Sequence, residues 1–159
     1  MPRISLDTST LILLAKTDIL EKVCKDFEVV ITEEVFLEAT RKKIADALLI
    51  ERLCYEGTIK RVDTPPDTDS ITANFSIARG EASALAYAHA ETIPVGIDDG
   101  LGIKAAKVLG IAFVTAIHFL IALRRNGVID QEIALLKLDS LDSLGRYSSS
   151  IINDARKRL

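Results

Sequence analysis

The chain has 159 residues, 48% hydrophobic and 27% charged, which excludes a disordered protein and predicts one globular domain over residues 1–159. Twenty basic against 23 acidic residues give a net charge of −3, so no global positive field draws in a nucleic-acid backbone. No apolar run reaches the roughly 20 residues of a membrane helix, and two cysteines, Cys24 and Cys54, fit neither a zinc spacing nor a disulfide framework.

The N-terminus runs from Met-Pro-Arg straight into a strand, without the pattern of a secretory signal, so a reducing cytoplasm is expected. Ile4–Leu6 reads as a buried strand, and Thr8 to about Lys25 as one helix or two broken near Thr17-Asp18. Residues 28–31, EVVI, form the next strand. Thr32 is placed to cap a helix over 33–40, with Glu33 and Glu34 favourable in its first turn. An amphipathic stretch over 42–56 stops at Gly57, and TIKRV (58–62) is a short strand. DTPPDTDS (63–70) is the clearest loop. GEASALAYAHAE (80–91) is a helix rich enough in alanine to lie close to a sheet. IPVGI (93–97) is a strand that stops at Asp98-Asp99, followed by a helix over 101–109 that closes at Gly110. IAFV (111–114) and a helix over 116–126 follow, and helical patterns over 129–138 and 148–158 end the chain.

Short strands alternating with helices imply parallel βαβ units with right-handed crossovers. The expected fold is α/β: a three-layer, doubly wound parallel sheet of about four to five short strands flanked by helices. Ligands in such sheets bind beyond the carboxyl ends of the strands. Two acidic positions fall there, Asp7 after the first strand and Asp98-Asp99 after the strand at 93–97. Glu34 and Glu38 stand one turn apart on a helix, and Glu81 opens the alanine-rich one.

Each acid also has a plain structural role open to it. Asp7 suits a helix N-cap, and Glu33, Glu34 and Glu81 suit the positive end of a helix dipole. Glu38 could sit on a solvated helix face, and Asp98-Asp99-Gly100 could be an ordinary turn. Jointly, gathered carboxylates repel one another unless a cation compensates them. Oxygen donors without a matching His or Cys favour Mg²⁺ or Mn²⁺ over zinc. Such a site can polarise a phosphoryl oxygen and activate water for attack on a phosphodiester.

The order of these pieces resembles the PIN domain, the metal-dependent nuclease fold of many toxin–antitoxin toxins of the VapC-like group. The pieces are LDTSTLILLAK, ITEEVFLEA, GEASALAYA, IDDGLGIKAAKVLGI and IAFVTAIHFLIALRRNGVI, and they are most similar to a small prokaryotic branch of the family. The resemblance implies that Asp7, Glu38, Glu81 and one acid of the Asp98-Asp99 pair hold Mg²⁺ or Mn²⁺, with Asp99 ahead of Asp98. It also implies that Ser9 orients Asp7 by a hydrogen bond. RNA is the implied substrate, an antitoxin protein the implied partner, and a homodimer the implied assembly. Two departures stand out. Basic residues common after the acid pair are replaced by Gly100 and Ile103, leaving Lys104. The hydroxyl residue common after the last strand gives way to Ala116, with Thr115 adjacent.

His118 and Arg124 are weaker candidates for contacts to RNA, because His118 lies near the same strand end and Arg124-Arg125 could track a phosphate backbone. A dinucleotide fingerprint at Gly100-x-Gly102 is rejected, since two acids precede it and would repel a pyrophosphate. A phosphoacceptor receiver domain is ranked lower, because IAFV leads into Thr115-Ala116 and not a lysine. The expected function is a metal-dependent endoribonuclease acting as a toxin, with a PIN-fold binding module of little or no turnover as the alternative.

Overall fold

The computed structural model describes residues 1–159. Five strands form one parallel sheet: β1 (Arg3–Leu6), β2 (Glu28–Thr32), β3 (Lys60–Val62), β4 (Val95–Gly96) and β5 (Phe113–Val114), in the order β3-β2-β1-β4-β5. Ten helices flank it. They are α1 (Thr8–Lys16), α2 (Leu20–Asp26), α3 (Glu33–Ala39), α4 (Ala45–Tyr55) and α5 (Thr68–Phe75) in the first half. The second half holds α6 (Arg79–Glu91), α7 (Gly100–Leu109), α8 (Ala116–Arg125), α9 (Gln131–Leu144) and α10 (Ser149–Arg158). This is the doubly wound α/β sheet that the alternation of strands and helices predicts.

The strand order fixes where a ligand can sit. The chain winds outward from β1 to β3, then returns to place β4 on the other side of β1. Helices leaving β1 and β4 therefore depart in opposite senses, and a crevice opens between those two strands at their carboxyl ends. Leu6 pairs with Gly96 in the parallel register, and the Asp7 N–H continues the ladder by donating to the Gly96 carbonyl at 3.0 Å. The last residue before Asp7 and the strand that leads to Asp98 are thus side by side.

Burial explains the strand sequences. Ile4, Leu6, Val29, Val30, Ile31 and Val95 are all completely or almost completely buried, as parallel strands covered on both faces require. Helix α6 lies against β1 and β2 because its inward residues are small. Ser5 Oγ donates to the Ala84 carbonyl at 3.0 Å, and the Thr32 and Ser83 hydroxyls meet at 2.7 Å. The buried apolar cluster continues into Ala134, Leu138 and Leu141 of α9 and Ile152 and Ala155 of α10, so these two helices share the core of the sheet.

Of the two forms expected for the first helical segment, the chain takes the broken one, with two helices separated where Asp18 adopts a left-handed φ of 58°. Two other stretches differ in detail from the sequence reading. The segment 63–70 is a loop only as far as Asp67. Helix α5 starts at Thr68, whose hydroxyl donates to the Pro65 carbonyl at 2.6 Å, and it buries Ile71. With eight mostly polar residues, it carries too little apolar periodicity to stand out. Helix α9 also runs on to Leu144, six residues beyond the expected 138.

Candidate functional site

Asp7 answers both descriptions that the sequence allows. Its Oδ1 accepts from the Thr10 N–H at 2.8 Å, capping α1, while Oδ2 accepts from Ser9 Oγ at 3.1 Å. The side chain is wholly buried, however, and burial is the main reason its pKa climbs from 3.8 to about 7; Asp98 and Glu81 add to the rise. A cap needs only the hydrogen bond. A buried carboxylate next to two more carboxylates asks for a cation.

Glu38 reaches the same place from α3. It accepts from Thr8 Oγ1 at 2.7 Å and from the Gly80 N–H at 3.0 Å. A Cβ at residue 80 would overlap Glu38 Oε2, so glycine is what lets the start of α6 close on the carboxylate. Glu81 comes next along α6. Its pKa is raised to about 7, first by burial and then by Asp99 and Glu38. Its Oε2 is buried with no hydrogen-bond partner, an arrangement that costs free energy unless something else supplies positive charge. Oε2 would stand 2.7 Å from a Cβ on Gly102, which places it against the first turn of α7.

The two acids after β4 divide the work. Asp98 accepts from Thr10 Oγ1 at 2.6 Å, from the Ala116 N–H at 3.1 and 3.2 Å, and from Tyr147 Oη at 2.5 Å. These donors from α1, α8 and the α9–α10 link occupy both its oxygens. Burial and the adjacent Asp98 push the Tyr147 phenol above its ordinary value, so it stays protonated and donates. Asp99 caps α7 by accepting from the Leu101 N–H at 2.9 Å through Oδ1 only. Its second oxygen carries no protein hydrogen bond.

All five acids therefore gather at the carboxyl edge of β1 and β4, linked by mutual repulsion, and none forms an ion pair with the chain's own Lys or Arg side chains. No three of the His, Cys, Asp or Glu side chains are arranged to hold an ion as they stand. The donor chemistry nevertheless fits a hard divalent cation: every donor is oxygen, Glu81 Oε2 lacks a partner, and Glu81 and Asp99 keep oxygens free to turn toward one.

Of the remaining sequence candidates, Ser9 touches Asp7 as described. Thr115 caps α8, with its N–H donating to His118 Nδ1 at 2.9 Å. Support for Asp98 at this turn comes from the backbone of Ala116 and not from a Thr115 hydroxyl. His118 is held in that capping box at the rim. Lys104 is exposed on α7 and lines neither cleft described below. Arg124 lies eight residues along α8 from Ala116, about 12 Å by helical rise, and its Nε donates to the Leu159 carbonyl at 3.1 Å. It is tied to the C-terminus, away from the acids.

Sequence reasoning missed Thr8, Thr10, Tyr147, Lys16 and Arg146. The D-T-S-T run could have revealed the two threonines, since hydroxyls directly behind a strand-end acid can hold carboxylates. Nothing local marks the other three. A cleft of about 410 Å³ opens over Ser9, Asp98 and Asp99, with Lys16 and Arg146 on its walls. A second, of about 530 Å³, shares Asp98 and Arg146 and extends past Thr115, His118 and Tyr147.

The family model described as a PIN domain matches residues 3–159. The chain belongs to the PIN domain family. PIN domains are generally nucleases that act on nucleic acid and usually use divalent metals. Among solved structures, this PIN domain is similar to PAE2754 from Pyrobaculum aerophilum, with a TM-score of 0.54 and 16% identity, covering 77% of this chain and 96% of that one. That likeness bears on the fold alone. No curated protein matches the chain.

Proposed function

We propose that this PIN domain is a Mg²⁺- or Mn²⁺-dependent endoribonuclease that hydrolyses RNA phosphodiesters. The observation that carries the reading is the gathering of Asp7, Glu38, Glu81, Asp98 and Asp99 without a balancing cation, where Glu81 Oε2 is buried and unsatisfied. Asp7, Glu38, Glu81 and Asp99 are the residues that would hold the ion. Asp98 ties α1, α8 and Tyr147 together behind them.

A divalent ion bound there supplies the charge that polarises a phosphoryl oxygen and makes water a nucleophile near neutral pH. The chain's own part is positioning. Thr10 and Ser9 fix Asp7, while Thr8 and the Gly80 N–H fix Glu38, so two carboxylates are aimed before any ligand arrives. Because Asp7 and Glu81 hold protons up to about pH 7, cation binding releases protons and tightens as pH rises.

The resemblance to toxin nucleases supports a cytoplasmic toxin kept silent by an antitoxin protein, and a homodimeric assembly. Cleavage of a mixed RNA pool with Mn²⁺ or Mg²⁺ tests the enzymatic reading, comparing wild type, Asp7→Asn and an EDTA control. Cleavage by wild type that drops at least about a hundredfold in both controls is expected. Absence of cleavage by folded, metal-loaded wild type sinks the nuclease reading in favour of a binding module.

A further inference from the structure

Lys16 and Arg146 share a cleft with Asp98 and Asp99 and remain unused. Arg3, Lys43, Arg52, Lys60, Arg61 and Arg79 all pair with carboxylates, but neither Lys16 nor Arg146 makes an ion pair or a side-chain hydrogen bond. Both line the cleft of about 410 Å³ that also holds Asp98 and Asp99, yet neither comes within ion-pair distance of those acids. The cleft thus holds two acids and two cations that do not neutralise each other.

Two elements far apart in sequence bring these cations to the cleft. Lys16 is the last residue of α1, the helix that Asp7 caps at its other end. Arg146 lies in the link between α9 and α10, beside Tyr147, and the Tyr147–Asp98 hydrogen bond anchors that link to the acid edge. Arg146 and Asp98 also line the neighbouring cleft of about 530 Å³, so the two clefts meet at this pair.

We propose that Lys16 and Arg146 form a phosphate clamp for a single-stranded RNA backbone, gripping a phosphate next to the one presented to the acids. The clamp rests on the nuclease reading for its substrate, but its cations act by binding and need no turnover. A cleft lined by both signs suits a phosphodiester chain: a cation held by the acids would take one phosphate, and Lys16 and Arg146 take another directly. Arginine offers paired N–H donors to phosphate oxygens, and lysine a point charge.

The test measures binding of a short fluorescein-labelled single-stranded RNA of random sequence by anisotropy, across a range of KCl concentrations. It uses Ca²⁺ in place of Mn²⁺, and separately EDTA. The proteins are wild type, Lys16→Gln, Arg146→Gln, the double variant, and Lys107→Gln as a control on the outer part of α7. Each clamp variant is expected to bind about fivefold more weakly, and to lower the slope of log K against log salt by about 0.7, with Lys107→Gln unchanged. Unchanged affinity and slope in both clamp variants, with wild type binding, overturn the clamp and leave the nuclease reading standing. Binding that depends on Lys16 and Arg146 in a protein that does not cleave supports the clamp and removes the nuclease. If wild type binds no RNA in either condition, both fall.

Discussion

Two acidic regions of the same sheet show what an acid looks like when it serves the fold and when it does not. At the β2–β3 edge, Glu28 pairs with Lys60 and Arg3, Glu33 with Arg61, and Glu34 with Arg79. At the β1–β4 edge, Asp7, Glu38, Glu81, Asp98 and Asp99 have no Lys or Arg partner, and two of them are pushed up to about pH 7. The contrast is sharpest inside one helix. Glu34 and Glu38 are neighbours one turn apart on α3, yet Glu34 meets Arg79 while Glu38 turns toward Thr8 and the Gly80 N–H. A fold that neutralises the first group and leaves the second uncompensated sets the second apart as the candidate functional group.

The comparison is open to its hardest test in the pH dependence of stability without metal. The folded protein keeps the Asp7 proton up to about pH 7, whereas the unfolded chain loses it near 3.8. Stability tied to the neutral form is therefore complete below about pH 3.8 and drains away as pH rises toward 7. The loss above that window is roughly 4 kcal/mol, and Glu81 pushes in the same direction. Glu28 behaves oppositely, since the hydrogen bond and charge of Lys60 lower its pKa and its contribution is lost on acidification. In EDTA, urea unfolding of wild type is expected to show lower stability at pH 8 than at pH 5. Asp7→Asn retains the cap, loses most of that slope and is the more stable protein at pH 8. A slope that survives Asp7→Asn would place the uncompensated charge elsewhere.

The same contrast explains how far the sequence could be read. Asp7 and Asp98 stand at strand ends, and a strand end is visible wherever an apolar run stops. The offset of Glu38 from Glu34 was visible as well, and the family resemblance singled out Glu38, but its physical basis was not visible, because only the packing of α3 on α6 brings Gly80 to one acid and Arg79 to the other. Tyr147 and Arg146 were hidden for a plainer reason. They sit in a short link after α9, which runs six residues past its expected end, and their placement depends on the contact of that link with Asp98, 49 residues earlier in the chain. Helix α5 was hidden by its own composition. Periodicity reveals faces of elements, and none of these features is a face.

A smaller effect decides which acid of the pair belongs to the ligand. Tyr147→Phe removes one donor from Asp98 and leaves those of Thr10 and Ala116 in place. Losing a hydrogen bond to a charged group costs about 1.5–3 kcal/mol. If Asp98 is the tether and Asp99 the ligand, the variant melts at a lower temperature while Mn²⁺ affinity, read by calorimetric titration, stays within about twofold. A loss of tenfold or more in Mn²⁺ affinity is the size expected when a metal ligand loses its orienting partner, and it would transfer the ligand role to Asp98.

The smallest effect belongs to the other edge. Glu33→Gln breaks the pair with Arg61, whose shortest contact is 2.5 Å, but both side chains are about 40% exposed and Arg61 keeps its stacking over Phe36 at 3.6 Å. An exposed pair of this kind contributes about 0–1 kcal/mol. Thermal unfolding should therefore change little, and metal-dependent cleavage not at all. Glu38→Gln, five residues later, is expected to reduce cleavage sharply while leaving the fold intact, because the amide oxygen can still accept from the Gly80 N–H while its NH₂ donates to the Thr8 hydroxyl. Equal losses of cleavage in the two variants would mean that pairing with a cation does not separate structural acids from functional ones here. On the proposed reading only the unpaired position matters, since neutralising Glu33 takes away a charge that Arg61 already balances, whereas neutralising Glu38 takes away one that no Lys or Arg of the chain balances.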